Sequence, residues 1–318
     1  MAKDLVIGID VGGQTTKCGV VDARGTVLAQ TVIRTDNHDT VEPFIQELAE
    51  ALNRIIAEAK AEDRIRGIGV GAPDGNYYTG TIEYAPNLPW GHGVVEFAKL
   101  LSKAMKGIPV SLTNDANAAA VGEMTYGAAR GMKNFIMITL GTGVGSGIVI
   151  DGNVVYGHDG FAGELGHTCA VRHNGRQCGC GKSGCLEAYA SAIGVARTAR
   201  EWLEMSDEPS LLRSLDKISS KDVYEAAKEG DELALKVFKF TGRILGEKLA
   251  DFIAFSAPEA IVLFGGLARA KEFLTEPILN AMNDNVLHLW KDKVKLVYSQ
   301  LKESDAAILG ASALAWEL

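Results

Sequence analysis

The densest group of reactive residues in the sequence consists of three cysteines and one histidine. Cys178, Cys180 and Cys185 stand in a run separated by glycines, and His167 precedes them. Three sulfur donors and one nitrogen donor suit tetrahedral Zn²⁺, and the glycines would let the short chain bring its thiols to one point. Four protein ligands fill the coordination sphere, so we predict a structural zinc rather than a catalytic one. The alternative is a set of free buried thiols.

Three glycine turns follow apolar segments and could hold an anion. They lie at Gly12-Gly13, Gly141-Thr142-Gly143 and Gly265-Gly266. Glycine lets backbone N–H groups approach a phosphate closely, and threonine hydroxyls add donors. Asp10, at the end of the first apolar segment, is a candidate ligand of hydrated Mg²⁺. Three ordinary turns are the alternative, but Asp10 and Thr139 at the strand ends favour phosphate binding.

Two common nucleotide-binding motifs are excluded. Gly181-Lys182-Ser183 has the end of a P-loop, but Arg176 stands where that motif requires its first glycine. The run from Gly141 to Gly147 has Ser146 where a dinucleotide fingerprint has its third glycine. That run also leads into a predicted strand, whereas the fingerprint opens a helix.

Asp115 follows a predicted strand and opens a predicted helix. It could be a helix N-cap or a general base, because α/β proteins bind ligands at the carboxyl ends of strands. Its position leaves both roles open. Glu164 and Glu187 flank the cysteine run. Each could be a solvated surface residue or a carboxylate held in a fixed place by the metal loop.

The overall composition is that of an acidic globular protein. Of 318 residues, 47% are hydrophobic and 23% are charged, which excludes an intrinsically disordered chain. The formal charge of −8 predicts no basic face for duplex nucleic acid. The sequence contains no recognisable signal peptide or membrane-spanning run, so we expect a cytoplasmic protein with no membrane partner.

The predicted elements alternate between strands and helices, which is typical of the α/β class. Apolar, β-branched runs predict strands at 5–11, 65–71 and 108–112. A period of 3.6 residues predicts a helix from Thr40 to about Ala61. A long loop is predicted over 72–93, where its three prolines and its aromatic residues favour a functional role.

A short internal repeat relates two parts of the chain. Asp10, a glycine turn and Asp22 correspond to Thr139, a glycine turn and Asp151 at a constant offset. Hairpin chemistry alone could produce so short a match. Duplication is the favoured interpretation, and it predicts two similar lobes facing a cleft.

The repeat also suggests a domain organisation. We expect an N-terminal small lobe over 1–115. A C-terminal large lobe over 116–303 would hold the zinc loop. The final helix, at about 304–318, is expected to pack back on the first lobe.

Together these motifs resemble the ROK family of bacterial sugar kinases and sugar-responsive repressors over essentially the whole chain. The segments that carry the resemblance are Asp10-Val-Gly-Gly-Gln-Thr-Thr-Lys17, Asn87-Leu-Pro-Trp90, Asn114-Asp-Ala-Asn-Ala118, Leu140-Gly-Thr-Gly-Val-Gly-Ser-Gly147, Glu164-Leu-Gly-His167, Cys178-Gly-Cys-Gly-Lys-Ser-Gly-Cys-Leu-Glu187 and Phe264-Gly-Gly266. The resemblance implies a two-lobed actin-like ATPase (ribonuclease H-like) fold. Mixed sheets would be flanked by helices, with a ligand cleft between the lobes. The small lobe would include a sugar-binding loop, and the large lobe would hold an adenosine site.

The resemblance also implies substrates and residue roles. ATP with Mg²⁺ would phosphorylate a hexose, and Asp115 would take the proton from the attacking sugar hydroxyl. The residues implied to hold the other hydroxyls are Asn87, Asn114, Glu164, His167 and Glu187. His167 would also bind the single structural Zn²⁺. The residues implied to hold ATP and its Mg²⁺ are Asp10, Gly12, Gly13, Thr15, Lys17, Thr139, Gly141, Thr142, Gly143, Gly265 and Gly266.

Two segments depart from the usual family sequence. Gln14 stands where threonine is common, which bears on a phosphate contact. Residues 72–80 lack the usual Pro-Gly-Pro-Val sequence, which bears on one edge of the expected sugar pocket.

The favoured function is ATP-dependent phosphorylation of a hexose at its 6-hydroxyl, with glucose as the first candidate. Mannose, fructose, N-acetylmannosamine and N-acetylglucosamine stay open as acceptors, and polyphosphate stays open as donor. A repressor would need a helix-turn-helix, for which we expect no room before the first strand. An idle sugar sensor would bind sugar without turnover, and the retained Asp115 favours chemistry. The family resemblance further implies a homodimer.

Overall fold

The chain alternates between short strands and helices. The structure is a computed structural model that describes residues 3–318, without the side chains of residues 303 and 304. The strands are β1 (Leu5–Val11), β2 (Thr15–Asp22), β3 (Val27–Arg34), β4 (Ile65–Ala72), β5 (Gly75–Asn76), β6 (Thr81–Glu83), β7 (Val94–Val95), β8 (Val110–Asn114), β9 (Phe135–Leu140), β10 (Val144–Ile150), β11 (Asn153–Val154), β12 (Ala260–Phe264) and β13 (Lys295–Tyr298). The helices are α1 (Val41–Glu58), α2 (Phe97–Ala104), α3 (Asp115–Tyr126), α4 (Glu187–Ala190), α5 (Ala192–Met205), α6 (Ser220–Lys228), α7 (Glu232–Ser256), α8 (Lys271–Asn285) and α9 (Glu303–Leu314).

The two main sheets share one strand order. The first has the order β3-β2-β1-β4-β8, in which β1 to β3 are antiparallel neighbours and β4 and β8 continue parallel to β1. The second has the order β11-β10-β9-β12-β13, with β12 parallel to both β9 and β13. This common order agrees with the internal repeat. The predicted class, with mixed sheets flanked by helices, is confirmed.

The chain divides into two compact units. The first comprises Met1–Met132, Gly147–Gly163 and Ser299–Leu318, and the second comprises Lys133–Ser146 and Glu164–Tyr298. This division differs from a lobe boundary at residue 115. Helix α3 packs along α9 and against β4, so it belongs with the first sheet although it follows residue 115 in the chain.

Helices cover both faces of the first sheet because β1 carries apolar residues on both faces. Leu5, Ile7 and Ile9 of β1 lie in one core with the apolar side of α1, whereas Val6 packs with α9. This alternation follows from the two-residue period of a strand. Helix α9 comes very close to the sheet, since a Cβ at Gly8 would stand 2.0 Å from the carbonyl oxygen of Ile308.

In the second unit, the strands pack on α5, α6, α7 and α8 around one large apolar core. Helix α7 begins after Asp231, whose side chain accepts a hydrogen bond from the N–H of Ala234 as an N-cap. None of the helices within residues 3–318 is long and apolar enough to cross a membrane.

The segment 72–93, predicted as a loop, is more regular than expected. Strands β5 and β6 lie within it, and β7 follows at once to complete a three-stranded antiparallel sheet. Strands of two or three residues are too short to leave a periodic pattern in the sequence. Leu88 and Trp90 attach the segment 72–93 to the first unit, because both side chains are buried in the core of that unit.

Candidate functional site

Asp10 and Asp115 lie at the carboxyl ends of parallel strands in the first unit. Asp10 pairs with Gly71 of β4, and Gly71 pairs in turn with Thr113 of β8. Asp115 follows β8 directly as the first residue of α3. The sheet therefore places both predicted acidic residues at one edge, where α/β proteins bind their ligands.

The pKa values of both carboxylates are raised. Burial, and to a smaller extent the negative charge of Asp115, raise the pKa of Asp10 to about 6, against the lowering effect of Lys17 on β2. Asp115 has an exposed surface, yet the protein around its carboxylate raises its pKa by desolvation. A raised pKa suits a group that must accept a proton near neutral pH. The direction of this shift is compatible with the general-base alternative of the sequence analysis.

Asn114 is the N-cap of α3. Its side-chain oxygen accepts a hydrogen bond from the N–H of Ala116 at 2.9 Å. Oδ1 of Asp115 accepts from the same N–H at 2.7 Å. The cap position is therefore occupied by Asn114, and Asp115 stands inside the helix with its carboxylate held at the N-terminus.

The first glycine turn lies against the loop that carries Asn87. The N–H of Gly12 donates to the carbonyl of Thr15 at 3.1 Å and closes the turn between β1 and β2. A Cβ at Gly13 would come within 2.6 Å of the Asn87 carbonyl oxygen. Only glycine allows so close an approach. The first unit thus brings a predicted phosphate turn next to a predicted sugar-binding residue.

One further acidic residue at this edge was missed by the sequence analysis. Asp74 lies just beyond β4, and burial together with the charge of Asp115 raises its pKa, so the two carboxylates lie near each other. Its φ of 50° is in the left-handed region, which glycine adopts freely and aspartate tolerates. Asp74 lies in the segment 72–80, and the departure of that segment from the usual family sequence was the signal in the sequence.

The second glycine turn is closed by its own hydrogen bonds. The N–H of Gly141 donates to the carbonyl of Gly143 at 3.0 Å, across Thr142. The hydroxyl of Thr139 accepts from the N–H of Gly145 at 3.1 Å. Hydrogen bonds within the segment therefore hold the turn in one conformation.

The third glycine turn lies beside the second. Strand β12 runs parallel to β9, with Phe264 paired to Thr139, so both strands end at the same edge. Gly265 has a φ of 102°, and a Cβ there would stand 2.5 Å from the carbonyl oxygen of Leu140. The second unit thus brings Gly265-Gly266 next to the turn predicted to hold phosphate.

Glu187 links the second glycine turn to the cysteine loop, by which we mean residues 167–185. As the first residue of α4, it accepts a hydrogen bond at Oε2 from the N–H of Val144 at 3.0 Å. A Cβ at Gly143 would stand 2.4 Å from the same oxygen. Oε1 lies 3.4 Å from Sγ of Cys178 and accepts a hydrogen bond from it while the thiol keeps its proton. A zinc-bound thiolate would have no proton to donate. Val144 contributes only its backbone N–H to this contact, so its side chain could not indicate the contact in the sequence.

The four predicted metal ligands come together in the second unit. One donor atom each of His167, Cys178, Cys180 and Cys185 lies within 4.8 Å of the others. The Sγ atoms of Cys180 and Cys185 are 3.7 Å apart, and Nδ1 of His167 is 3.8 Å from Sγ of Cys178. Zinc bonds of about 2.3 Å to sulfur and about 2.0–2.1 Å to nitrogen give tetrahedral edges of about 3.6–3.8 Å. The donor set and its spacing therefore fit zinc.

His167 faces the cysteines with one ring nitrogen and Glu164 with the other. Its Nε2 lies 3.9 Å from Oε2 of Glu164, while Nδ1 faces Cys178. A single turn of 3₁₀ helix over Leu165–His167 produces this arrangement. A metal bound at Nδ1 would fix the orientation of the ring, and with it the position of Nε2.

Each unit therefore collects its own part of the predicted site. The first brings together the Gly12-Gly13 turn and Asn87, and at the strand ends Asp10, Asp74, Asn114 and Asp115. The second brings together two glycine turns, Glu187, Glu164 and the metal ligands. Backbone N–H groups in turns suit phosphates, and fixed carboxylates and amides suit a polyhydroxylated substrate.

The chain is similar to known sugar kinases in both sequence and structure. A glucokinase of Halalkalibacterium halodurans is 37% identical to this chain over 315 residues, which cover 98% of this chain and 94% of that protein. The structure of a ROK hexokinase from Thermus thermophilus superposes with a TM-score of 0.83 at 32% identity, over 98% of each chain. A ROK family glucokinase from Streptomyces griseus, solved with glucose and AMPPNP, has a TM-score of 0.79 at 33% identity, over 99% of this chain and 100% of that one.

These likenesses confirm the two-lobed actin-like fold class expected from the sequence motifs. The sequence model of the ROK family matches residues 6–317, which is nearly the whole chain. The chain belongs to the ROK family.

Proposed function

We propose that this chain transfers the γ-phosphoryl group of ATP to the 6-hydroxyl of glucose. The observation that carries the proposal is Asp115, a carboxylate of raised pKa at the end of a parallel strand, beside an asparagine that already caps the helix. The names of the relatives, a glucokinase among curated proteins and a glucokinase solved with glucose and an ATP analogue, support glucose and ATP as the substrates.

Asp115 acts as the general base in this proposal. Phosphoryl transfer depends mainly on positioning and on neutralising charge, so the protein needs a correctly placed acceptor oxygen more than a strong nucleophile. A carboxylate takes the proton as the 6-hydroxyl attacks. The hydrogen bond from the N–H of Ala116 to Oδ1 at 2.7 Å holds the carboxylate in one orientation.

We assign the phosphates to the glycine turns and the magnesium ion to Asp10. The turns at Gly12-Gly13, with Thr15, and at Gly141-Thr142-Gly143, with Thr139, supply N–H and hydroxyl donors. Asp10 is a hard oxygen ligand of the kind Mg²⁺ takes alongside water and phosphate oxygens. Lys17 pairs with Asp10 across β1 and β2 and adds positive charge. Gly265-Gly266 borders the adenosine.

We assign the remaining sugar hydroxyls to carboxylates, amides and one imidazole. These residues are Asn87, Asn114, Glu164, His167 and Glu187. A site built to hydrogen-bond each hydroxyl rejects a sugar that lacks one, because a buried polar group would then be left unpaired. The contact between His167 and Glu164, and that between Glu187 and Val144, support fixed positions for these groups.

The zinc is assigned a structural role. His167, Cys178, Cys180 and Cys185 would occupy all four positions, which leaves none for substrate. Zinc there would hold the cysteine loop and thereby the carboxylates at its two ends. The homodimer implied by the family resemblance and the cytoplasmic location expected from the sequence both stay predictions.

The test is ADP release from ATP and Mg²⁺ with glucose, mannose, fructose, N-acetylglucosamine, N-acetylmannosamine or no sugar. We expect turnover with glucose to exceed that with every other sugar. Preference for another hexose would keep the mechanism and move the specificity, with residues 72–90 as the first place to look. No turnover with any sugar by a folded, zinc-loaded protein would overturn the kinase proposal and favour a sugar sensor.

A further inference from the structure

Arg176 lies inside the cysteine loop with its side chain buried in the second unit. Only 9% of that side chain is exposed. Nε and Nη2 donate to Oε2 of Glu201 at 3.0 and 2.5 Å, and Nη1 donates to the hydroxyl of Thr198 at 2.8 Å. The guanidinium also lies over the ring of Tyr189, 4.7 Å from its centroid. A planar fork with this many partners cannot be replaced by a lysine.

The backbone of Arg176 ties together the two sides of the cysteine loop. Its carbonyl accepts a hydrogen bond from the N–H of Gly184 at 2.8 Å, next to the ligand Cys185. Its N–H donates to the hydroxyl of Tyr189 at 2.8 Å. Arg176 therefore stands between the segment that leads to Cys178 and the segment that leads to Cys185.

A second arginine holds the loop to the same carboxylate. Nε of Arg197 donates to Oε1 of Glu201 at 2.7 Å, and Nη1 donates to the carbonyl of Gln177 at 3.2 Å. Glu201 on α5 thus receives one arginine from the loop and one from its own helix. We call Arg176, Arg197 and Glu201 the arginine clasp.

The clasp also reaches the helix that carries Glu187. Nη1 of Arg176 donates to the carbonyl of Ala188 at 3.2 Å, and Tyr189 is the residue after that. Helix α4 has four residues, too few to be stable by itself. Its position, and so that of Glu187, depends on contacts of this kind.

We propose that Arg176, held by Glu201, is a positioning residue that prearranges the zinc ligands and fixes Glu187. This rests on the proposed function for the role of Glu187, but the zinc part can be tested without catalysis. When a residue orients the metal ligands without binding the metal itself, altering that residue typically changes metal affinity by about 10- to 100-fold. The loop contacts of Arg176 involve none of the four ligand side chains, so the clasp can hold the loop before zinc binds.

The experiment measures zinc affinity of the full-length protein by competition with a chromophoric chelator. We expect Arg176→Lys and Glu201→Gln each to weaken zinc binding by about 10- to 100-fold. Arg200 is exposed on α5, the helix that carries Glu201. Arg200→Lys is therefore the matched control and should bind zinc as the wild type does. Glu201→Gln keeps the size and shape of its side chain, and it carries the test if Arg176→Lys fails to fold.

A second measurement separates positioning from general loss of structure. At saturating zinc, we expect the folded variants to show a raised KM for glucose with kcat nearly unchanged, because Asp115 is untouched. Unchanged zinc affinity in both folded variants would overturn the proposal. A wild-type protein that binds no zinc would overturn it together with the metal assignment, whereas a zinc-binding protein without kinase activity would overturn only the proposed function.

Discussion

The carboxylate of Glu187 accepts a hydrogen bond from the backbone N–H of Val144 at 3.0 Å. Its other oxygen lies 3.4 Å from the thiol of Cys178. One side chain therefore connects the glycine turn assigned to phosphate with the loop assigned to zinc. A change in the glycine turn should therefore alter the cysteine loop, and a change in the loop should alter the turn. The next two predictions test this connection.

Gly143→Ala should displace Glu187. The new Cβ would stand 2.4 Å from Oε2, so either the turn or the carboxylate must move. We expect a KM for glucose raised by about tenfold. We expect little loss of stability, because the displaced atom is the end of a flexible side chain. Steady-state kinetics and urea unfolding measure both. Gly93→Ala, whose Cβ would meet no atom within 4 Å, is the control. A Gly143→Ala protein with wild-type KM would contradict the assignment of Glu187.

Removing one zinc ligand should release the ion and loosen the cysteine loop. We expect Cys180→Ser to lose its zinc, with a lower unfolding temperature and a raised KM for glucose, because structural zinc binding is coupled to folding. Elemental analysis and thermal unfolding measure these effects. Cys169→Ser is a matched control, since Cys169 is exposed and lies outside the ligand cluster. Unchanged zinc content in Cys180→Ser would refute the ligand set.

Asp10 should destabilise the metal-free protein at neutral pH. Its pKa is about 6 in the folded state, against 3.8 for an ordinary aspartate. At about pH 3 and below, the carboxyl is protonated in both states and costs nothing. The cost grows between about pH 4 and pH 6 and is nearly constant above that range. Asp10→Asn removes this cost, so we expect the free energy of unfolding at pH 7 to rise by about 2–3 kcal/mol, at about 1.4 kcal/mol per pKa unit.

Urea unfolding at pH 7 and at about pH 3 checks that expectation, with exposed Asp63→Asn as the control. The gain should nearly vanish at about pH 3, where the carboxyl is protonated in both states. The same variant should bind ATP-Mg²⁺ poorly, because it lacks the carboxylate assigned to Mg²⁺. A charged group that serves function often lowers the stability of the fold. Equal stability of the variant and the wild type at pH 7 would show that Asp10 carries no such strain.

Asp74→Gly should shift the pH profile of catalysis. Glycine adopts the φ of 50° at this position without strain, so the fold should be kept. The charge of Asp115 raises the pKa of Asp74. Because repulsion between two charges is mutual, we expect loss of the Asp74 carboxylate to favour the ionised form of Asp115. The base works when ionised, so activity falls as pH drops through the pKa of Asp115, and the fall in kcat/KM should begin at a lower pH in the variant. An unmoved acid limb would show that the two carboxylates do not interact.

Much of the site could be predicted from local patterns. The β-branched run ending in Asp10, the glycines after it and the alanine-rich helix opened by Asp115 are all local signals, and β1 and α3 lie where these signals put them. The spacing of His167 and the three cysteines predicted a cluster, which the structure brings together.

Other features depend on contacts between residues far apart in the chain. Asp74 acquires its importance from the register of β4 and β8, and it lies in a segment whose strands are too short to show a period. Arg176 entered the sequence analysis only as the residue that breaks a P-loop pattern. Its partners lie on α4 and α5, so only the folded chain shows what it holds. In the same way, chain order could not indicate that Gly147–Gly163 lies with the first unit.

The most direct test of the account is the kcat of Asp115→Asn with glucose and ATP-Mg²⁺, measured beside glucose affinity by calorimetry. Asparagine keeps the shape of the side chain and cannot accept the proton. We predict a fall in kcat of about 10²- to 10⁴-fold, with glucose binding retained. A variant that keeps a near-normal kcat would show that Asp115 is not the base and would contradict the central claim.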